Sequence, residues 1–286
     1  MAVVNTNIGA SVAQAALVKN QRDLSSAMQQ LSTGQKINSA ADNASGLAIS
    51  NRMTSQINGL GAAIRNANDA ISMINTAEGA LEEITDMLQR MRELAVQSGT
   101  GTTSADDRTY LNNEFTELRS EIDRIAMNTE WNGRVILSGA AGGSSTSTVV
   151  YQVGVDGGQT MTFAFGNFQN GSAGTMSGIA AEVLTGTTIA SGVSNASSAI
   201  SALDTAIEAV SNQRSTFGAA TNRLTHAVDN LTNVKVNAEA SRSRILDTDY
   251  AESTAELART QIIQQAGTAM LAQANQLPQT VLALLQ

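Results

Sequence analysis

The chain has no cysteine, one proline and one histidine among its 286 residues, and its aromatics amount to only 3%. Without cysteine there are no disulfides, thiolate metal sites or cysteine nucleophiles. The single histidine, His226, lies in a helical stretch without partners for a metal cluster or a Ser/His/Asp triad. Few aromatics mean few stacking platforms for bases or sugars, and an aliphatic core of the kind that packed helices build. Basic residues are also scarce, 17 Lys+Arg against 25 Asp+Glu for a formal charge of −8. Nucleic-acid binding needs the opposite balance. No apolar run approaches the ~18 residues of a membrane span. The first twenty residues lack a basic leader segment, so no cleavable secretory signal is expected.

What the chain does have is helical periodicity. Residues 1 to about 138 and 196 to 286 read as helix, and the Gly/Ser/Thr-rich stretch 139–195 lies between them. Steps of three and four pick out Ile57, Leu60, Ile64, Ala67, Ile71, Ile74, Glu78, Leu81, Thr85 and Leu88, broken only by Glu78 and Thr85. The same rule gives Ile200, Leu203, Ile207, Val210, Arg214, Phe217, Thr221, Leu224, Val228 and Leu231, broken by Arg214 and Thr221. Leu111, Phe115, Leu118, Ile122 and Ile125 continue it without a break. Spacing that averages 3.5 keeps one seam on a partner helix, which predicts long coiled-coil-like rods. A helix over 44–98 would be roughly 80 Å long. Ser98-Gly99-Thr100-Gly101 should stop it, Ser104 with Asp107 should cap the next helix, and Asn132-Gly133 should turn the chain after that.

In the middle, Val149, Tyr151, Val153 and Val155 alternate with other residues before Asp156-Gly157-Gly158, and Met161, Phe163 and Phe165 alternate after it. This predicts a β-hairpin near 148–165. Residues 166–198 read as exposed loop. Ser144 to Thr148 and Thr185 to Ser198 are candidates for O-linked sugars.

Both chain ends are uncharged, over 1–18 and over 260–286, yet amphipathic. Their apolar residues are Ile8, Val12, Leu24, Met28 and Leu31 at one end and Met270, Leu271, Leu277, Val281 and Leu284 at the other. A solvated helix normally carries charge on its outer face, so these residues are expected to form a subunit interface after assembly. Pro278 is expected to kink or end the last helix. Asp106-Asp107 complements a helix start, and Asp247-Thr248-Asp249 reads as a cap or solvated turn. No catalytic, cofactor or metal site is expected, and the chain is read as non-enzymatic.

The segment Gln30-Leu31-Ser32-Thr33-Gly34-Gln35-Lys36-Ile37-Asn38-Ser39-Ala40-Ala41-Asp42, with Gly46-Leu47-Ala48-Ile49, resembles the N-terminal signature of the bacterial flagellins. Arg65-Asn66-Ala67-Asn68-Asp69 and Thr76-Ala77-Glu78-Gly79-Ala80-Leu81 extend it. Ser243-Arg244-Ile245, Asp249-Tyr250, Gln264-Gln265-Ala266-Gly267 and Leu271-Ala272-Gln273-Ala274-Asn275-Gln276 are similar to the C-terminal signature. The resemblance implies a mostly α fold of long antiparallel rods from paired N- and C-terminal segments with a small central β-hairpin. It implies an inner terminal-helix domain, 1–42 with 243–286, and a rod domain, 43–242. Large outer domains are missing from this short form.

The function so implied is that of a structural subunit polymerising into the flagellar filament used for motility. Type III export would make it secreted and extracellular. A hook–filament junction protein, which shares the terminal helices, is the alternative. Partners would be further copies of the chain, the export chaperone, the filament cap and the junction proteins. The run from Gln89 to Val96 is also similar to the segment by which many flagellins engage the flagellin-sensing Toll-like receptor. The resemblance makes Gln89, Arg90, Leu94 and Glu114 the recognition residues. With Leu88 and Met91 on the seam, helical geometry turns Gln89 and Arg90 outwards.

Overall fold

The computed structural model describes residues 7–143, 147–169, 176–180, 183–186 and 188–284, leaving aside the side chains of 177, 180 and 277–284. In chain order come α1 (Ile8–Thr33), α2 (Ala44–Ser98), α3 (Ala105–Asn128), β1 (Glu130–Trp131), β2 (Arg134–Val135), β3 (Thr148–Gln152), β4 (Thr160–Ala164), α4 (Ser177–Ala180), α5 (Ile189–Leu246) and α6 (Tyr250–Leu284). Two compact units divide the chain, one of 1–57 with 236–286 and one of 58–235.

In the first unit α1 and α6 run antiparallel. Asn7 Nδ2 donates to the carbonyl of Ala274 at 2.8 Å and Asn20 Nδ2 to that of Thr260 at 2.8 Å. Asn20 also donates to Gln264 Oε1 at 3.1 Å. A Cβ on Gly267 would lie 2.8 Å from Leu17, so glycine is what lets the helices close there. Pro278 does not end α6, which continues to Leu284. Proline lacks the N–H that would bond the carbonyl four residues back, which is that of Ala274. The Asn7 side chain supplies the missing donor. Asn7 also caps α1, its Oδ1 accepting from the N–H of Ala10 at 3.0 Å.

The two signature segments meet at the other end of this pair. Gly34 closes α1 in the left-handed conformation, φ 71°, which glycine adopts without steric cost. Gln35 then bridges Asp247, with Lys36 N–H on the carbonyl of Leu246 at 2.7 Å and Thr248 N–H on that of Gly34 at 3.0 Å. Asp42 ties the turn by accepting from the N–H groups of Asn38 and Ser39, at 3.0 and 2.8 Å.

The second unit packs α2, α3 and α5 around one core with both hairpins against it. The buried line of α2 is Leu60, Ala63, Ala67, Ala70, Ile74, Ala77, Leu81, Ile84, Leu88, Met91 and Ala95. This differs from the expected seam at every second layer. Ala63, Ala70 and Ala77 are inside where Ile64, Ile71 and Glu78 were expected, and those three stand half-buried at the flank. In α5, Ala199, Ala206 and Ala220 are likewise inside and Ile200, Ile207 and Thr221 flank them. Alternating large and small layers let two backbones come close while the bulky residues seal the sides. Periodicity alone favours the larger apolar residue and so selects the neighbour. A fully buried leucine or isoleucine contributes ~1.5–3 kcal/mol, whereas the alanines contribute proximity.

α2 ends at Ser98 and the Ser104–Asp107 capping box opens α3, both as the sequence predicts. Asn132 (φ 51°) and Gly133 (φ 74°) turn β1 into β2, a hairpin that the helical reading of this region passes over. β3 and β4 pair antiparallel from Thr148↔Ala164 to Gln152↔Thr160. Asn66 Nδ2 on the carbonyl of Gln152 (3.0 Å) fastens this hairpin to α2, and Gln213 Nε2 on that of Ala164 (2.9 Å) fastens it to α5. The expectation of exposed loop over 166–198 is corrected. Phe168, Met176, Ile179 and Leu184 are core residues and α5 starts at Ile189. Ser and Thr hide these isolated apolar anchors from a compositional reading. Ser144 to Thr146 lie outside the described residues.

Candidate assembly and recognition surfaces

The face joining α1 to α6 is largely small or polar. Ala13, Leu17, Asn20, Leu24, Ala27 and Leu31 line it from α1, and Ser253, Leu257, Thr260, Gln264, Gly267, Leu271 and Ala274 from α6. Apart from its leucines, the bulky apolar residues lie off this seam. Ile8 is 63% exposed, Val12 64%, Ile262 66% and Met270 65%. Met28 and Ile263 are also exposed. The ten residues expected at one interface therefore divide. Ile8, Val12, Met28 and Met270 face outwards, Leu24, Leu31 and Leu271 are half-buried, and the side chains of Leu277, Val281 and Leu284 lie outside the described residues. Ile262 and Ile263 belong to the outward set too, and the uncharged stretch after Arg259, which contains them, is the signal that marks them.

In the second unit, α2 and α3 present a charged face. Arg90 Nη2 lies 2.8 Å from Glu114 Oε1 and Arg90 Nη1 lies 3.0 Å from Glu93 Oε2. The hydrogen bond to Glu114, with the one to Glu93 beside it, raises the Arg90 pKa above its ordinary value. Both ion pairs are exposed, and such pairs contribute little to stability. Gln89 is exposed beside them and lines a groove of about 540 Å³ with Arg92, Glu93, Val96, Gln97 and Thr100. Leu94 is placed differently: it is 1% exposed and packs in the core. A partner on this face meets Gln89, Arg90 and Glu114, and Leu94 supports them from beneath. Three residues on from the buried Met91, it falls on the same inner side.

Among the described residues no group of three or more His, Cys, Asp or Glu is placed to hold a metal ion. His226 is exposed on α5. A second groove of about 670 Å³ is lined by Asp69, Met73, Trp131, Asn132, Arg134, Ala141, Val149, Val150 and Tyr151. The Tyr151 hydroxyl donates to Met73 Sδ at 2.9 Å, and burial pushes its pKa up. A buried cation was not anticipated either. Arg108 is 1% exposed at the start of α3.

Paired terminal helices with apolar outer stripes are the features of an assembly subunit. The family comparisons agree. Residues 4–141 match the bacterial flagellin N-terminal helical region and residues 200–285 the C-terminal helical region. A flagellin of Halalkalibacterium halodurans is 44% identical over 284 residues, covering 99% of this chain and 100% of its own. Flagellin A of Vibrio cholerae is 36% identical, with 99% of both chains covered. Among solved structures, Bacillus cereus flagellin covers 58% of this chain and 88% of its own at 34% identity and a TM-score of 0.48. A putative flagellar hook-associated protein from Vibrio parahaemolyticus covers 72% of this chain and 100% of its own, with a TM-score of 0.59 and 15% identity. At that identity the likeness is one of fold. The chain belongs to the bacterial flagellin family. It is a structural subunit that polymerises into the filament of the bacterial flagellum.

Proposed function

We propose that polymerisation runs through the outward apolar stripes of the terminal helices, and that the chain's work is mechanical, without catalysis. Ile262 and Met270, both about two-thirds exposed in an uncharged stretch, carry this reading. Ile8, Val12 and Met28 on α1, and Leu277, Val281 and Leu284 further along α6, join the same interface. Leu24, Leu31 and Leu271 hold the two helices together behind it. Residues 1–42 with 243–286 then form the inner wall of the filament and residues 43–242 the layer outside. Burying each large apolar side chain against a neighbour supplies ~1.5–3 kcal/mol that the free subunit lacks. Ordering of the termini is thereby coupled to assembly. Export through the type III apparatus, an export chaperone, the filament cap and the hook–filament junction proteins complete the set of partners. The test is deletion of residues 1–18 or 268–286. Each truncated chain should stay soluble and helical by circular dichroism and sediment as monomer. Long filaments from either one would overturn the assignment.

A second reading concerns released monomer. The clustering of exposed Gln89, Arg90 and Glu114 on one face favours engagement by the flagellin-sensing Toll-like receptor, through charge-assisted hydrogen bonds.

A further inference from the structure

Arg108 is the largest of the fully buried side chains, and among the described residues no carboxylate pairs with it. A guanidinium out of water needs other compensation. Here it comes from the last residue of α2 and from the turn that follows it. Nε donates to the carbonyl of Ser98 at 3.0 Å and Nη2 to that of Thr100 at 3.1 Å. The last carbonyls of a helix have no partner within it and carry the negative end of its dipole. A planar fork of donors suits them better than a point charge does. Space for the fork depends on α5, because a Cβ on Gly192 would stand 2.9 Å from Arg108 Cδ and Nη1. Hydrogen bonds surround the clamp, from Ser98 Oγ to the carbonyl of Leu184 (3.2 Å) and from Leu184 N–H to Asn112 Oδ1 (2.9 Å).

The face formed by Gln89, Arg90 and Glu114 depends on how α3 lies along α2. The Arg90–Glu114 pair spans the two helices, but both side chains are about half exposed, 50% and 46%. Exposed pairs of this kind hold little. The buried clamp stands two turns closer to the α2–α3 connection and is shielded from water and salt. We propose that Arg108 is a positioning residue that fixes α3 on the C-terminal end of α2 and thereby sets the spacing of the Arg90–Glu114 recognition face. The biological half of this rests on the receptor reading above, while the geometric half does not.

The chain's lack of cysteine allows a clean test on full-length monomer. Spin labels at Asp86→Cys and Glu117→Cys, both exposed, report the α2–α3 distance by pulsed electron resonance. Arg108→Met should widen the distance distribution and raise the monomer concentration for half-maximal receptor activation about tenfold. Arg108→Lys should fall between Met and the parent. If Arg108→Met loses its helicity, the Lys variant decides, because one point donor in place of the fork must still widen the distribution. A width equal to the parent's in a folded variant overturns the proposal. If widths change while Arg90→Ala activates as the parent does, the receptor reading fails and the clamp stands.

Discussion

The carboxylate of Glu78 accepts a hydrogen bond from Nε of Arg214 at 2.7 Å, joining α2 to α5 where the apolar spacing of both helices is interrupted by a charge. Each side chain is 35% exposed, and the second oxygen of Glu78 is buried without a partner among the described residues. The hydrogen bond to Glu78 raises the pKa of Arg214 above its ordinary value. A slip of either helix by one heptad would separate the pair, so it fixes alignment more than it adds stability. Glu78→Ala should cost less than about 1 kcal/mol in urea unfolding, because Arg214 is one-third exposed and water replaces much of what it loses. Glu78→Leu with Arg214→Leu should restore most of that stability yet allow several registers. Cross-linking of introduced cysteine pairs would reveal them. A double variant with one cross-linking pattern would remove the alignment role.

Acid should loosen two turns before it loosens the core. Hydrogen bonds from Ser104, side chain then backbone, lower the pKa of Asp107, and the backbone N–H groups of Ser39 and Asn38 lower that of Asp42, both from 3.8. A depressed folded pKa means that the contribution is complete above 3.8 and is lost as pH falls below it through the folded value. Amide exchange at Ser39 and at the first turn of α3 should therefore rise below that pH, ahead of Leu81 and Leu88. Asp107→Asn should shift the α3 response and leave the Asp42 turn unchanged. Simultaneous loss of protection at all these sites would contradict the assignment.

The alanine layers give a reversed size rule. Ala77→Leu forces bulk between α2 and α5 and should destabilise by about 1–3 kcal/mol. Ile64→Ala removes a flanking side chain and should cost less, since that position is only half-buried. Thermal unfolding of the two variants decides the matter. Equal losses would mean that the layers tolerate larger residues.

Arg90→Ala and Glu114→Ala should leave the monomer's helicity unchanged and weaken receptor activation in reporter cells by about tenfold or more. Leu94→Ala should act differently, by unsettling the core, at ~2–5 kcal/mol. Activation by both charge variants at the parent's level would exclude this face.

Much of the fold is legible in the sequence. The span of α2, its stop at Ser98, the Ser104–Asp107 cap and the existence of the β3–β4 hairpin follow from spacing and turn chemistry. The seam is legible only to within one residue, because alanine carries no size signal and Ile64 or Ile71 outweighs it. Phe168, Met176 and Leu184 stand singly in Ser/Thr-rich surroundings, so burial there depends on tertiary neighbours. Arg108 defeats a sequence reading for a related reason, since its acceptors are backbone carbonyls that leave no side-chain trace. Helical geometry predicts the exposure of Gln89 and Arg90. The resemblance that nominates Leu94 and Glu114 marks positions and not their burial, so it gives no sign that Leu94 lies in the core.

The Asn20 contact has a cost that falls outside the folded pair. By spending amide and small side chains on each other, α1 and α6 leave Ile262 and Met270 to the water. Free chains are thus prone to adhere wherever they accumulate, and the hazard grows with their concentration. Between synthesis and incorporation the subunit must be either screened or scarce. The finished polymer is where its greasy surfaces are harmless.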